Sequence, residues 1–271
     1  MNLNEELQLA TELSRAAGAL VLENYGKVDR LLKRGNEAVS DADRASQRLI
    51  VAGLRRRYPG DGIVGEENDT GDAITFDVAN PSGRNWVIDP IDGTNNFLSG
   101  LGIFAVCIGL MEAGRPVLGV VYDVTRDQLY AAASGQGAWL GTQRLGVLKT
   151  QLGDNAMLML TSNLLGPDGK APGYCRRWLE QTNWKIRMLG AASLEAMQVA
   201  LGVAHGAVTL NGKLWDIAAP AAIVLEAGGV VTDPKGKDVF PFDLAGYRGA
   251  KVPYVLGGPA AHAEIIAEMR R

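Results

Sequence analysis

The chain has 271 residues, 47% of them hydrophobic and 21% charged, with a formal net charge of −3. That balance suits a globular protein with one large domain or two packed subdomains. It gives no electrostatic reason to expect nucleic acid as the main partner, and no apolar run approaches the roughly eighteen residues of a membrane span. The start, Met1-Asn2-Leu3-Asn4-Glu5-Glu6, lacks the basic and apolar regions of a signal peptide, so a cytoplasmic location is expected.

Leu7, Ala10, Leu13, Ala17, Leu20 and Val21 recur at helical spacing and predict an amphipathic helix from Asn4 to Tyr25, closed by Gly26. A second helix is expected from Ser40, where Ser40 and Asp41 can cap, through Ile50 and Leu54 to a stop before Pro59-Gly60. Arg55-Arg56-Arg57 then reads as a solvated helix end that complements the helix dipole. Ile63-Val64 and Trp86-Val87-Ile88 read as short strands delivering acidic residues, with the polar stretch from Asn68 to Asn85 between them as a surface loop.

Phe104 to Met111, Val117 to Tyr122 and Gln128 to Ala132 read as an antiparallel meander, followed by one more strand between Gly135 and Gly141. Past a break near Thr150 to Asp154, strands are expected at Met157–Leu160, Lys185–Leu189, Ala207–Leu210, Val230-Val231 and Tyr254–Leu256. They alternate with helices at Ser193–Val203, Asp216–Ala227 and Pro259–Arg270, which predicts a second, α/β layer. The expected division is an N-terminal α+β subdomain over residues 1–152 and a C-terminal α/β subdomain over residues 153–271.

The two cysteines, Cys107 and Cys175, form no CxxC pair and suit reduced thiols. The two histidines, His205 and His262, have no supporting motif, so carboxylates must carry any chemistry. The strongest candidate is the string Trp86-Val87-Ile88-Asp89-Pro90-Ile91-Asp92-Gly93-Thr94-Asn95-Asn96-Phe97. Clustered aspartates are the hard oxygen ligands that magnesium prefers. Gly93 permits an unusual backbone angle and a close ligand approach, and a helix starting at Thr94 would aim free N–H groups at a phosphate. Taken alone, Asp92-Gly93 would be a turn.

The whole string resembles the D-P-[IL]-D-G-T signature of the inositol monophosphatase family, and four further elements follow the family's pattern over most of the chain. Gly65-Glu66-Glu67 resembles its G-E-E, and Leu214-Trp215-Asp216-Ile217-Ala218-Ala219 its W-D-x-A-A/G, where Asp216 is also an ordinary candidate for a helix N-cap. Val39-Ser40-Asp41-Ala42-Asp43 is similar to V-[ST]-x-x-D. Gly190-Ala191-Ala192-Ser193 is similar to G-[TS]-A, with alanine at 191 in place of a hydroxyl residue.

The resemblance implies an α+β / α/β fold, a layered α-β-α-β-α sandwich of two subdomains, commonly a homodimer. It implies magnesium-dependent hydrolysis of a small phosphate monoester, with two or three Mg2+ per site. One ion would be held by Glu66, Asp89 and the carbonyl of Ile91, a second by Asp89, Asp92 and Asp216, and a third near Glu66. Thr94 and Asp43 would orient the attacking water, which the Glu66-bound ion activates. Gly93, Thr94, Gly190, Ala191, Ala192 and Asp216 would contact substrate, and Lys33 resembles a lysine near the metals of relatives. Inositol-hydrolysing members carry a glutamate shortly before W-D, whereas the stretch from Val208 to Lys213 has no acid. Histidinol phosphate, fructose 1,6-bisphosphate, other sugar phosphates and 3′,5′-bisphosphate nucleotides therefore stand beside inositol phosphate as expected substrates. Lys213 and Arg187 either read a second anionic group or are surface charges. A non-catalytic regulatory protein of the same fold is the alternative from another class; the presence of every required carboxylate weighs against it.

Overall fold

In the computed structural model, which describes residues 2–27, 31–32, 38–68, 75–162, 164 and 169–271, the chain forms two large sheets and a small ribbon. Lys33 lies outside the described residues. The ribbon pairs β1 (Leu31–Leu32) with β2 (Ala38–Val39). The first large sheet contains β3 (Gly62–Gly65), β4 (Thr75–Asp77), β5 (Arg84–Asp92), β6 (Ala105–Glu112), β7 (Arg115–Asp123), β8 (Gln128–Ala133), β9 (Gly137–Leu140) and β10 (Gln143–Arg144). Its order is β10-β9-β8-β7-β6-β5-β3-β4. The second contains β11 (Met157–Leu160), β12 (Lys185–Arg187), β13 (Gly206–Thr209), β14 (Val230–Thr232) and β15 (Tyr254–Gly257), in the order β12-β11-β13-β15-β14.

The helices are α1 (Asn4–Asn24), α2 (Asp41–Arg57), α3 (Thr94–Leu98), α4 (Gly173–Gln181), α5 (Ala192–Ala200), α6 (Leu214–Glu226) and α7 (Pro259–Met269). Alternation along the buried strands assigns each helix to a layer, because successive side chains of a strand point to opposite faces. Ile63, Trp86, Ile88, Val106, Ile108 and Leu110 pack with α1 and α2, while Val64, Val87, Cys107 and Met111 face α5 and α6. In the second sheet Met159, Ala207 and Leu256 face that same inner helical layer. Leu158, Leu160, Val208 and Val255 face outward onto α4 and α7. The result is five layers, α-β-α-β-α, with α5 and α6 between the sheets.

Besides the unexpected short strands β1, β2 and β10, three longer segments depart from the sequence-based expectation. The stretch predicted as a loop from Asn68 to Asn85 holds the edge strand β4 and the first residues of β5. Helix α4 was not predicted; it opens at Pro172 without a side-chain cap and buries Tyr174, Cys175 and Trp178. Strand β12 stops at Arg187, short of Leu189. Among the described residues, no helix is long and apolar enough to cross a membrane.

Candidate active site

Asp89 and Asp92 lie three positions apart, so in a regular strand they would face opposite sides. Strand β5 avoids this with a register irregularity against β6: Asp89 pairs with Cys107 and Asp92 with Ala105, three residues on one strand against two on the other. The extra residue, at Pro90-Ile91, is a β-bulge that returns Asp92 to the inner face shared by Val87 and Asp89. Pro90 has no N–H to lose from the ladder there. The Ile91 side chain is buried on the α1/α2 face, which leaves its carbonyl as its contribution to the site.

Asp216 arrives from the opposite direction, in the first turn of α6. It is the third helical residue rather than the N-cap, and its Oδ2 accepts from the backbone N–H of Lys213 at 2.7 Å. The helix comes this close because the sheet beneath has no side chains at two points. A Cβ on Gly109 would lie 2.9 Å from Ala219 N, and one on Gly119 would lie 2.2 Å from Ala219 O. Carboxylate oxygens of Asp89, Asp92 and Asp216 thereby all fall within 4.8 Å of one another.

Asp92 is also tied to α5. Its carboxylate accepts from Ala192 N at 3.1 Å, from Ser193 N at 2.7 Å, and from the Ser193 hydroxyl. Ala192, expected to contact substrate, has its N–H on the Asp92 carboxylate. The Gly190 N–H donates to Glu195 Oε1 at 3.2 Å, beside Leu189 N at 2.8 Å. Gly190, Ala191 and Ala192 still line the cleft, with Ala191 packed against Gly93. Gly93 has φ +88°, and a Cβ there would lie 2.8 Å from the Ile103 carbonyl, so this position requires glycine. Asn96 links the two sheets, donating to the carbonyls of Ile103 and Leu189 at 2.8 Å each.

Thr94 opens the short helix α3. Its hydroxyl lies 3.2 Å from Asp43 Oδ1 and 2.9 Å from the Ile91 carbonyl. Asp43 is fully buried and caps α2, its Oδ2 accepting from Ser40 N at 2.7 Å and Ser40 Oγ at 2.6 Å. It does not line the cleft and meets it through Thr94. Glu66, half-buried at the end of β3, lines the cleft but stands outside the tight aspartate trio.

The electrostatics follow from crowding. Burial, then Glu66, Asp92 and Asp216, push the Asp89 carboxyl well above the usual range. Burial, then Asp92 and Glu66, push Asp216 up to about 8. Asp92 is pushed up to about 6 by burial, against the lowering effect of its bonds from Ser193 and Ala192. Such a group cannot hold its full negative charge near neutrality unless a cation shares the space. Cys107, across the ladder from Asp89, is buried and its thiol is driven well above its ordinary value, first by burial and then by these aspartates. A reactive thiolate is excluded there.

The cleft measures about 540 Å3. Besides the residues above it is lined by Thr161, Thr209, Asn211, Lys213, Trp215 and Lys251, and by Glu195, whose carboxyl burial pushes up to about 8. No motif in the sequence points to Glu195, Thr161 or Asn211, which the fold brings to the cleft; Ser193 ends the Gly190–Ser193 string, but nothing there foretells its bond to Asp92. Of the two candidate anion readers, Lys213 lines the cleft, with its ammonium donating to Gly249 O at 2.6 Å. Arg187 does not line it: it lies exposed on edge strand β12, donating to the Ile186 carbonyl at 2.9 Å.

Comparison with known proteins agrees with this geometry. A Nus factor SuhB of Pasteurella multocida is 35% identical over 242 residues, spanning 86% of this chain and 87% of that protein. A fructose-1,6-bisphosphatase/inositol-1-monophosphatase of Thermotoga maritima is 33% identical, spanning 88% of each. The solved structure of extragenic suppressor protein suhB from Bartonella henselae superposes with a TM-score of 0.86 at 28% identity, covering 98% of this chain and 99% of that one. The family model described as inositol monophosphatase family matches residues 2–271, and this chain belongs to that family.

Proposed function

We propose that the protein hydrolyses a small phosphate monoester with magnesium as cofactor. The observation that carries this reading is the trio of buried Asp89 and Asp92 with half-buried Asp216, whose oxygens gather within 4.8 Å and whose carboxyls are all shifted upward. An all-oxygen, acid-rich donor set of this kind fits magnesium. Asp89, Asp92, Asp216, Glu66 and the Ile91 carbonyl would hold two or three ions, which when bound supply Lewis-acid charge and a more acidic water.

The chain's own groups account for orientation. Gly93, Thr94 and Asn95 edge the cleft at the start of α3, where main-chain N–H groups suit phosphate oxygens. The Thr94 hydroxyl, donating to Asp43 Oδ1, keeps lone pairs on Oγ1 to accept from a water in the cleft. Water would add to phosphorus as the ester P–O bond breaks, its proton passing through Thr94 Oγ1 to Asp43, while the departing alkoxide takes a proton from solvent. A homodimer and a cytoplasmic location belong to the same reading, on family resemblance.

Phosphate release from inositol 1-phosphate, histidinol phosphate, fructose 1,6-bisphosphate and adenosine 3′,5′-bisphosphate, with and without magnesium, tests the reading. Magnesium-dependent release abolished by Asp89→Asn is the expected result. Since relatives include Nus factors, a binding role in transcription is the second reading; folded, magnesium-loaded protein without turnover on the whole panel would favour it.

A further inference from the structure

The substrate side of the cleft is built at the carboxyl ends of two adjacent parallel strands, β11 and β13, where ligands of open α/β sheets are received. Thr161 follows β11, and its hydroxyl donates to Asn211 Oδ1 at 2.7 Å. That bond fixes the amide with its NH2 group unused, and both residues line the cleft. Thr209, the last residue of β13, is only 2% exposed and lines the same wall. Its hydroxyl meets that of Tyr254, its fully buried neighbour on β15, and among the described residues neither has any other partner. Two hydroxyls bonded to each other use only one of their two protons, so the pair can still donate from Thr209 to a group bound in the cleft. Lys251, exposed, adds an ammonium to the same cleft that Lys213 lines.

This wall is therefore rich in donors: the Asn211 NH2, the Thr209 hydroxyl and two ammonium groups. The acid facing it, Glu195, has Oε1 taken by the N–H groups of Leu189 and Gly190. A neutral polyol presents hydroxyls that must both donate and accept, and would waste such a wall. An acceptor-only anion matches it. Resting on the hydrolase reading above, we propose that the leaving group of the substrate carries a second anionic group, a carboxylate or a phosphate. Asn211, locked by Thr161, together with Lys251 and Thr209, reads that group.

The test compares substrates that differ only in the second anion: glycerol 3-phosphate against glycerate 3-phosphate, and fructose 1-phosphate against fructose 1,6-bisphosphate. The wild-type protein should favour the anionic member of at least one pair by roughly tenfold or more in kcat/KM, the size of one charge-assisted contact. Asn211→Asp and Lys251→Ala should each collapse that ratio through KM, whereas Arg187→Ala, off the cleft, should preserve it. The two matched pairs distinguish carboxylate from phosphate as the recognised group. Equal kcat/KM within both pairs, or a ratio that survives both cleft substitutions, overturns the proposal. If no ester is turned over, the hydrolase reading fails, and calorimetric titration of the same pairs in magnesium buffer still decides this one: tighter binding of the anionic member, lost in both variants, supports it, and equal binding overturns it.

Discussion

Asp89 and Asp43 have contrasting positions that lead to different expected phenotypes. Asp89 stands among three other carboxylates, so Asp89→Asn removes repulsion from the metal-free protein along with a ligand. Magnesium-dependent phosphate release should fall by about a hundredfold or more. The metal-free melting temperature should hold or rise, and the magnesium-induced rise should shrink; a marked fall in metal-free stability would count against the crowding argument. Thr94 stands between the cleft and buried Asp43, so Thr94→Ala should lower kcat by about a hundredfold, the usual scale of positioned proton transfer, with little change in KM. A KM effect alone would assign Thr94 to binding. Asp89, Asp92 and Thr94 were legible because they share one short string. That the two aspartates face the same way was not, since it depends on a bulge opposite β6, and Ser193 and Glu195 became visible only when α5 met β5.

At the scale of elements, the position of Asp216 is set by how closely α6 can lie on the first sheet. The alanines after Trp215 suggest a close approach, but half of the cause is in the sheet, at Gly109 and Gly119. Gly119→Ala would force a methyl against the Ala219 carbonyl, and overpacking of this kind costs about 1–3 kcal/mol. The expected result is a lower melting temperature together with weaker magnesium affinity, because the displaced helix carries Asp216, a proposed ligand. Gly153→Ala, with open space around its Cβ, is the matched control. Tm unchanged in Gly119→Ala would show that the helix is free to shift. Long, strongly periodic elements such as α1 and the β6–β8 meander could be read from the sequence by pattern alone. The helix α4 could not, because it is nine residues long and starts at a proline with no capping side chain. Nor could β4, three residues at a sheet edge whose stability comes from pairing with β3.

At the scale of the whole molecule, the layers converge at one cleft: β5 supplies Asp89 and Asp92 from the first sheet, α6 supplies Asp216, and β11 and β13 supply the opposite wall. Folding therefore brings together carboxylates that are far apart in the unfolded chain, and the cost depends on pH. Asp92 and Asp216 have folded values of about 6 and about 8 against an ordinary 3.8, and Asp89 is also raised well above it, by burial and then by its carboxylate neighbours. An acid whose folded value is raised binds its proton more tightly in the native state. Its contribution to stability is complete below the unfolded value and is lost as pH rises through the folded one. The metal-free protein should therefore become progressively less stable as pH rises from about 4 to about 8. Magnesium, binding the ionised native site, should offset the loss most at the alkaline end, by mass action on the folded state. Melting curves from pH 5 to pH 8.5, with EDTA and with millimolar magnesium, should diverge as pH rises. Parallel curves would mean that the trio is not the metal site, and a magnesium effect largest at pH 5 would contradict the sign of the shifts.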